Sequence, residues 1–73
     1  MTWDEELSRL IARDFKIGQY FRSEDIYAYV PHFRELYPNN RHVRAKLRQI
    51  LQHLRDRGAV SFVDDQGTYQ RLV

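Results

Sequence analysis

Apolar and polar positions alternate along the chain at two different periods. From Thr2 to Phe15, Trp3, Leu7, Leu10 and Ile11 recur at helical spacing. Thr2 is placed to cap this helix, Asp4, Glu5 and Glu6 suit the positive end of its dipole, and Trp3 reads as a lid on the core. In "KIGQYFR", Gly18 argues against helix, and Ile17, Tyr20 and Phe21 fit a short extended piece. Ser23 is a good N-cap for a second helix from about Glu24 to Leu36, whose apolar positions include Ile26, Tyr29, Val30, Phe33 and Leu36. Pro31 must bend or break it, because proline removes a helical hydrogen bond and restricts Val30. Pro38, Asn39 and Asn40 form a turn, and either asparagine can cap a third helix from about Arg41 to Arg57. Gly58 is placed to end that helix in a left-handed conformation. Beyond it the period falls to two: Val60 and Phe62, then Tyr69 and Leu72, alternate with polar residues on either side of a "DDQG" turn.

The order helix, short strand, helix, helix, strand, turn, strand is α+β. It predicts a winged helix-turn-helix: three helices plus a small antiparallel sheet with a C-terminal β-hairpin wing. The span 1–73 accommodates one domain.

The third helix carries the chemistry. At 100° per residue, Val43, Leu47, Ile50, Leu51 and Leu54 form a core stripe, while Arg41, Ala45, Arg48, Gln49, Gln52 and Asp56 face the other way. Arg44, Lys46, Arg55 and His42 lie on the flanks. Such a face suits the major groove, where arginine reads guanine, glutamine or asparagine reads adenine, and flanking cations meet phosphates. Ala45 has two readings: it lets the backbone approach the bases and offers an apolar contact to a methyl group, or it is simply the best helix former. One of Asn39 and Asn40 is left to reach a phosphate or an adenine edge, and His42 either meets a phosphate or fills the first turn. On the wing, Gln66 and Arg71 are candidate contacts, while Asp64 and Asp65 at the tip would repel phosphates.

Charge sharpens this reading. Residues 1–38 hold five basic and seven acidic side chains, whereas residues 39–73 hold seven basic and three acidic. A basic face on an otherwise neutral body is the footprint of a nucleic-acid binder. With no cysteine there is neither a disulfide framework nor a thiolate metal site, and His32, His42 and His53 match no metal-binding spacing. No apolar run approaches a membrane span, and the acidic start is no signal peptide. No nucleophile elbow, phosphate-cradling loop or carboxylate–lysine centre points to an enzyme, and nothing calls for a cofactor.

The stretch "LYPNNRHVRAKLRQILQHLRDRGAVSFVDDQGTYQRL" is similar to the C-terminal winged-helix domain of the Dam-replacing, DpnI-type restriction endonucleases. There a "PNN…VRAKIRQ.LQ.LRD.G.I.F" pattern leads into a "G.Y" wing strand. Pro38, Asn39, Asn40, Val43, Arg44, Ala45, Lys46, Arg48, Gln49, Leu51, Gln52, Leu54, Arg55, Asp56, Gly58, Phe62, Gly67 and Tyr69 carry the match, about half the chain, and Asp64 and Asp65 depart from it. The resemblance implies a monomeric reader of double-stranded DNA containing methylated adenine in a GATC context, working in a bacterial or archaeal cytoplasm. It also implies a separate metal-dependent nuclease domain in longer relatives, which this sequence lacks. Ala45, with Asn39 or Asn40 and the stems of Arg41 and Arg44, would then surround the methyl groups, and Arg48 or Arg44 would read a flanking guanine. A winged-helix regulator of unmethylated DNA and a protein-interaction winged helix are the alternatives.

Overall fold

A computed structural model describes residues 2–73. In chain order it contains α1 (Trp3–Asp14), β1 (Tyr20–Arg22), α2 (Ser23–Tyr27), α3 (Val30–Leu36), α4 (Val43–Asp56), β2 (Val60–Phe62) and β3 (Thr68–Arg71). Thr2 caps α1 as expected, its Oγ1 accepting from the Glu5 N–H at 3.1 Å. The core joins α1 (Leu7, Leu10, Ile11), Ile26, Phe33 and the five-residue stripe of α4 to Phe21, Val60 and Tyr69 of the sheet. All five stripe positions are buried, as the helical period predicts.

The predicted second helix is two. Proline excludes the carbonyl four residues before it, here that of Tyr27. The chain accordingly leaves the helix at Ala28–Tyr29, and Pro31 falls in the first turn of α3, where its missing N–H removes no bond. Taken together, the short α2 and α3 keep the three-helix plan of a helix-turn-helix.

Four local expectations are corrected. Ser23 is not the N-cap of α2 but its first residue. That turn is tied instead by the Arg22 N–H donating to Asp25 at 2.8 Å, and Ser23 Oγ faces the Gly67 carbonyl and Tyr69 hydroxyl across the wing. Ile17 is no part of a strand. Gly18, at φ 86°, turns the chain there, and Ile17 is left 68% exposed. Leu72 lies beyond β3 and is exposed, since Tyr69 is the residue of that strand that meets the core. Neither asparagine is the N-cap of α4, whose cap residue is His42 with no side-chain bond.

The sheet is antiparallel in the order β1-β3-β2, with Phe21 opposite Tyr69 and Phe62 opposite Tyr69 on the other side. β2 and β3 form the wing. Its tip is closed by Asp64, whose Oδ1 accepts from the N–H groups of Gln66 (2.9 Å) and Thr68 (3.1 Å), and these bonds hold its carboxyl below the usual range. Gly58, at φ 76°, ends α4 and turns it directly into β2.

One charge is inside. Glu6 is only 3% exposed. Arg9 grips its two oxygens from Nε and Nη2 at 2.7 and 2.9 Å, and His32 Nε2 of α3 reaches Oε2. The pairing outweighs burial and lowers the carboxyl to about 2. Asp4, at the start of α1, similarly meets His53 and Arg57 at the far end of α4, at 3.3 and 3.4 Å. These two ties fix α1 against both helices of the helix-turn-helix. Among the described residues no helix is long and apolar enough to cross a membrane.

Candidate nucleic-acid interface

Because the apolar stripe of α4 is consumed by the core, the opposite face must meet solvent. Ala45, Arg48, Gln49 and Gln52 are all exposed there, continuing the face begun by Arg41. The turn Tyr37–His42 folds back beside the first turn of the helix, with the Asn40 N–H donating to the Tyr37 carbonyl at 3.0 Å. Between turn and helix lies an open groove of about 510 Å³, lined by Asn39, Asn40, Arg41, His42, Ala45, Lys46 and Gln49.

Six of the candidate residues thus share one concavity, with Lys46 added to them. Ala45 leaves room because its side chain ends at Cβ. Asn40 is oriented by the backbone two residues on: its Oδ1 accepts from the His42 N–H at 2.8 Å, which leaves the amide nitrogen as the group that can donate elsewhere. Arg44, Arg48 and Gln52 stand exposed on the same helix outside the groove, and Gln66 is exposed at the wing tip.

Arg71 is not on this surface. Its Nη1 donates to the Phe15 carbonyl at 2.7 Å and its Nε to the Val73 carbonyl at 2.8 Å. The guanidinium therefore closes the C-terminal end of α1, a structural use of the charge at the negative end of the helix dipole.

The charges divide by where their partners are. Arg9, Arg13 and Arg22 are each paired with an acid close in sequence, and Arg55 and Arg57 meet Asp56 and Asp4. Among the described residues, Arg41, Arg44, Lys46 and Arg48 have no ion-pair partner. The positive excess that the sequence places in its second half is therefore concentrated on the first half of α4, around the groove.

Three cations of α4 lie over aromatic rings, each from a different element. Arg44 stacks on Tyr27 of α2 at 4.2 Å, Lys46 lies 5.9 Å from the Trp3 ring of α1, and Arg55 lies 4.6 Å from Phe62 of β2. Sequence reasoning assigned Trp3 to the core and did not single out Tyr27. Both stay partly exposed beside the core; Tyr27 falls outside the apolar stripe of the second helix, whereas Trp3 opens that of α1. The histidines divide similarly, with His32 and His53 on Glu6 and Asp4 and His42 exposed at the groove.

A family model described as the Dam-replacing HTH domain matches residues 7–71. The chain belongs to this family, and it is a DNA-binding helix-turn-helix domain.

Proposed function

We propose that this member of the Dam-replacing family reads adenine-methylated duplex DNA of the GATC type, with α4 in the major groove and as a monomer. On this reading the chain has no catalytic centre of its own and serves as the reader module of a restriction system, cutting being left to a nuclease domain in longer relatives. The observation that carries the reading is the groove over Ala45, with amide donors on one wall and unpaired cations around it. N6-methylation adds an apolar group at the floor of the major groove and leaves one hydrogen for base pairing. In GATC the two methyl groups, one on each strand, lie close together across adjacent base pairs. A single helix with a small residue at its centre can touch both without a second protomer.

Magnitudes support the division of labour. Burying a methyl-sized group contributes about 0.8 kcal/mol, so two contribute roughly a tenfold preference. Phosphate contacts supply the bulk affinity. If Arg41, Arg44, Lys46 and Arg48 each neutralise a phosphate, log K should fall with log salt at a slope of about −3 to −4.

The test is a fluorescence-anisotropy titration at fixed, near-physiological salt. Its probes are one GATC duplex in unmethylated, hemimethylated and fully methylated forms, and a scrambled methylated control. Tightest binding to the fully methylated site supports the reading. Equal weak binding to all four would make the chain a general phosphate binder or a regulator with another site. Binding to none would favour a protein partner.

A further inference from the structure

Arg44 and Lys46 stand on either side of Ala45, about 200° apart at 3.6 residues per turn. A helix lying in the major groove therefore offers one cation to each bordering backbone. Arg44 does so from the Tyr27 side, and on the other side the neighbour is Trp3. Trp3 is held rigidly: its ring stacks on Phe33 and Tyr37 with centroids 4.9 and 4.4 Å away. Beside it a second groove of about 420 Å³ opens, lined by Trp3, Leu36, Tyr37, Pro38, Asn39 and Asn40. Asn39 and Asn40 line both grooves, so the two adjoin at this turn.

From this adjacency we infer that the Trp3 groove is a second DNA subsite, which takes the sugar–phosphate backbone of one strand as it leaves the recognised sequence. The inference rests on α4 occupying the major groove. Its lining is mixed as that backbone is: Trp3, Leu36 and Pro38 give an apolar wall for the faces of deoxyribose, while the two asparagine amides, with the Lys46 ammonium of the neighbouring groove 5.9 Å from the Trp3 ring, serve the phosphate oxygens. Two carboxylates adjoin the lining in sequence: Asp4, next to Trp3, is turned to His53 and Arg57, while Glu35, next to Leu36, is exposed on α3. Trp3 precedes the segment matched to the family, so the subsite draws on one residue outside residues 7–71.

The experiment uses the only tryptophan in the chain as its reporter. Two methylated GATC duplexes are compared, one ending close to the site and one extended on each side by about 5 base pairs, half a helical turn. The extended duplex should bind several-fold more tightly and alter Trp3 emission, and the short one should leave the emission nearly unmoved. Lys46→Gln should weaken both duplexes, because Lys46 also lines the α4 groove, but should cost the extended one more and so abolish the length-dependent gain. Trp3→Leu should abolish the gain as well, with thermal melting as a check that the fold survives. Equal affinities and slopes for both lengths, with Trp3 emission unmoved, would overturn the subsite and leave the reading of α4 standing. Binding to neither duplex would overturn the reading of α4 and the subsite with it.

Discussion

Replacing Glu6 by Gln tests whether the buried carboxylate anchors α1 to the helix-turn-helix. The side chain is 3% exposed and held on both oxygens by Arg9, with His32 reaching it from α3. These partners lower the carboxyl from 4.5 to about 2. At about 1.4 kcal/mol per pH unit, that difference is worth at most ~3 kcal/mol. The Arg9 side chain is more than half exposed, so water screens its share, and a loss of about 2 kcal/mol at neutral pH is the expected cost.

The sign follows from the direction of the shift. A carboxyl depressed in the folded state stabilises the protein above its unfolded value, and that stability drains away as the pH falls from about 4.5 to about 2. Urea denaturation followed by helical circular dichroism, at intervals from pH 7 to pH 2, measures it. The wild-type chain should lose stability through this window, and E6Q should lose about 2 kcal/mol less, because it begins without that contribution. Asp14, also lowered to about 2 by Arg13 and Tyr29, titrates in both proteins and cancels in the difference. If the two proteins show the same stability at neutral pH and the same decline, the carboxylate contributes nothing and the account of the anchor is wrong. Glu6 lines neither groove, so folded E6Q should bind methylated duplex as the wild type does.

Ala45→Leu should fill the floor of the α4 groove, cutting affinity for the methylated site more than for plain DNA; equal losses in a titration of both would refute the methyl contact. Tyr27→Leu should weaken duplex binding about two- to five-fold through the lost shelf under Arg44, and Tyr27→Phe should retain it, as read by anisotropy at low salt. Gly67→Ala should destabilise the wing by about 1–2 kcal/mol in a chemical melt, because φ is 92° there and the new Cβ would stand 2.5 Å from Ser23 Oγ. Arg71→Gln should lower the melting temperature but leave the salt slope of DNA binding unchanged, since its guanidinium is spent on backbone carbonyls.

What was legible in the sequence was whatever a short window decides. The stripe of α4 needs only the helical period, the Thr2 cap only its own first turn, and the stop at Gly58 only a residue free to take positive φ. The groove was half legible: the outward arc of α4 names Arg41, Ala45 and Gln49, but a wheel does not show the Tyr37–His42 turn folding back to make a wall. Where the partner is distant in sequence, local reasoning chose a local role. Ser23 looks like a cap, yet its hydroxyl faces residues more than forty positions away on the wing. Asn39 and Asn40 look like caps too, but the chain takes two more residues, Arg41 and His42, to enter α4, and the Asn40 side chain closes that smaller turn instead.

The arginines show why type and position alone do not assign a DNA contact. Arg44 and Arg71 are both basic residues on a predicted DNA-binding element. Arg71 occupies the same side of β3 as Tyr69, two residues earlier, and that alternation carries its side chain towards the body of the protein, where the end of α1 presents carbonyls with no helical partner. Arg44 sits one residue past Val43 on a helix, about 100° around from it at the edge of the core stripe, and lies over the flat face of Tyr27. An aromatic face orients a guanidinium without consuming its hydrogen-bond donors, whereas carbonyls and carboxylates consume them. The criterion for a cation free to grip phosphate is therefore the kind of partner it has. Arg44 on Tyr27 and Lys46 beside Trp3 pass it, Arg71 does not, and the salt slopes of the corresponding variants should separate in that order.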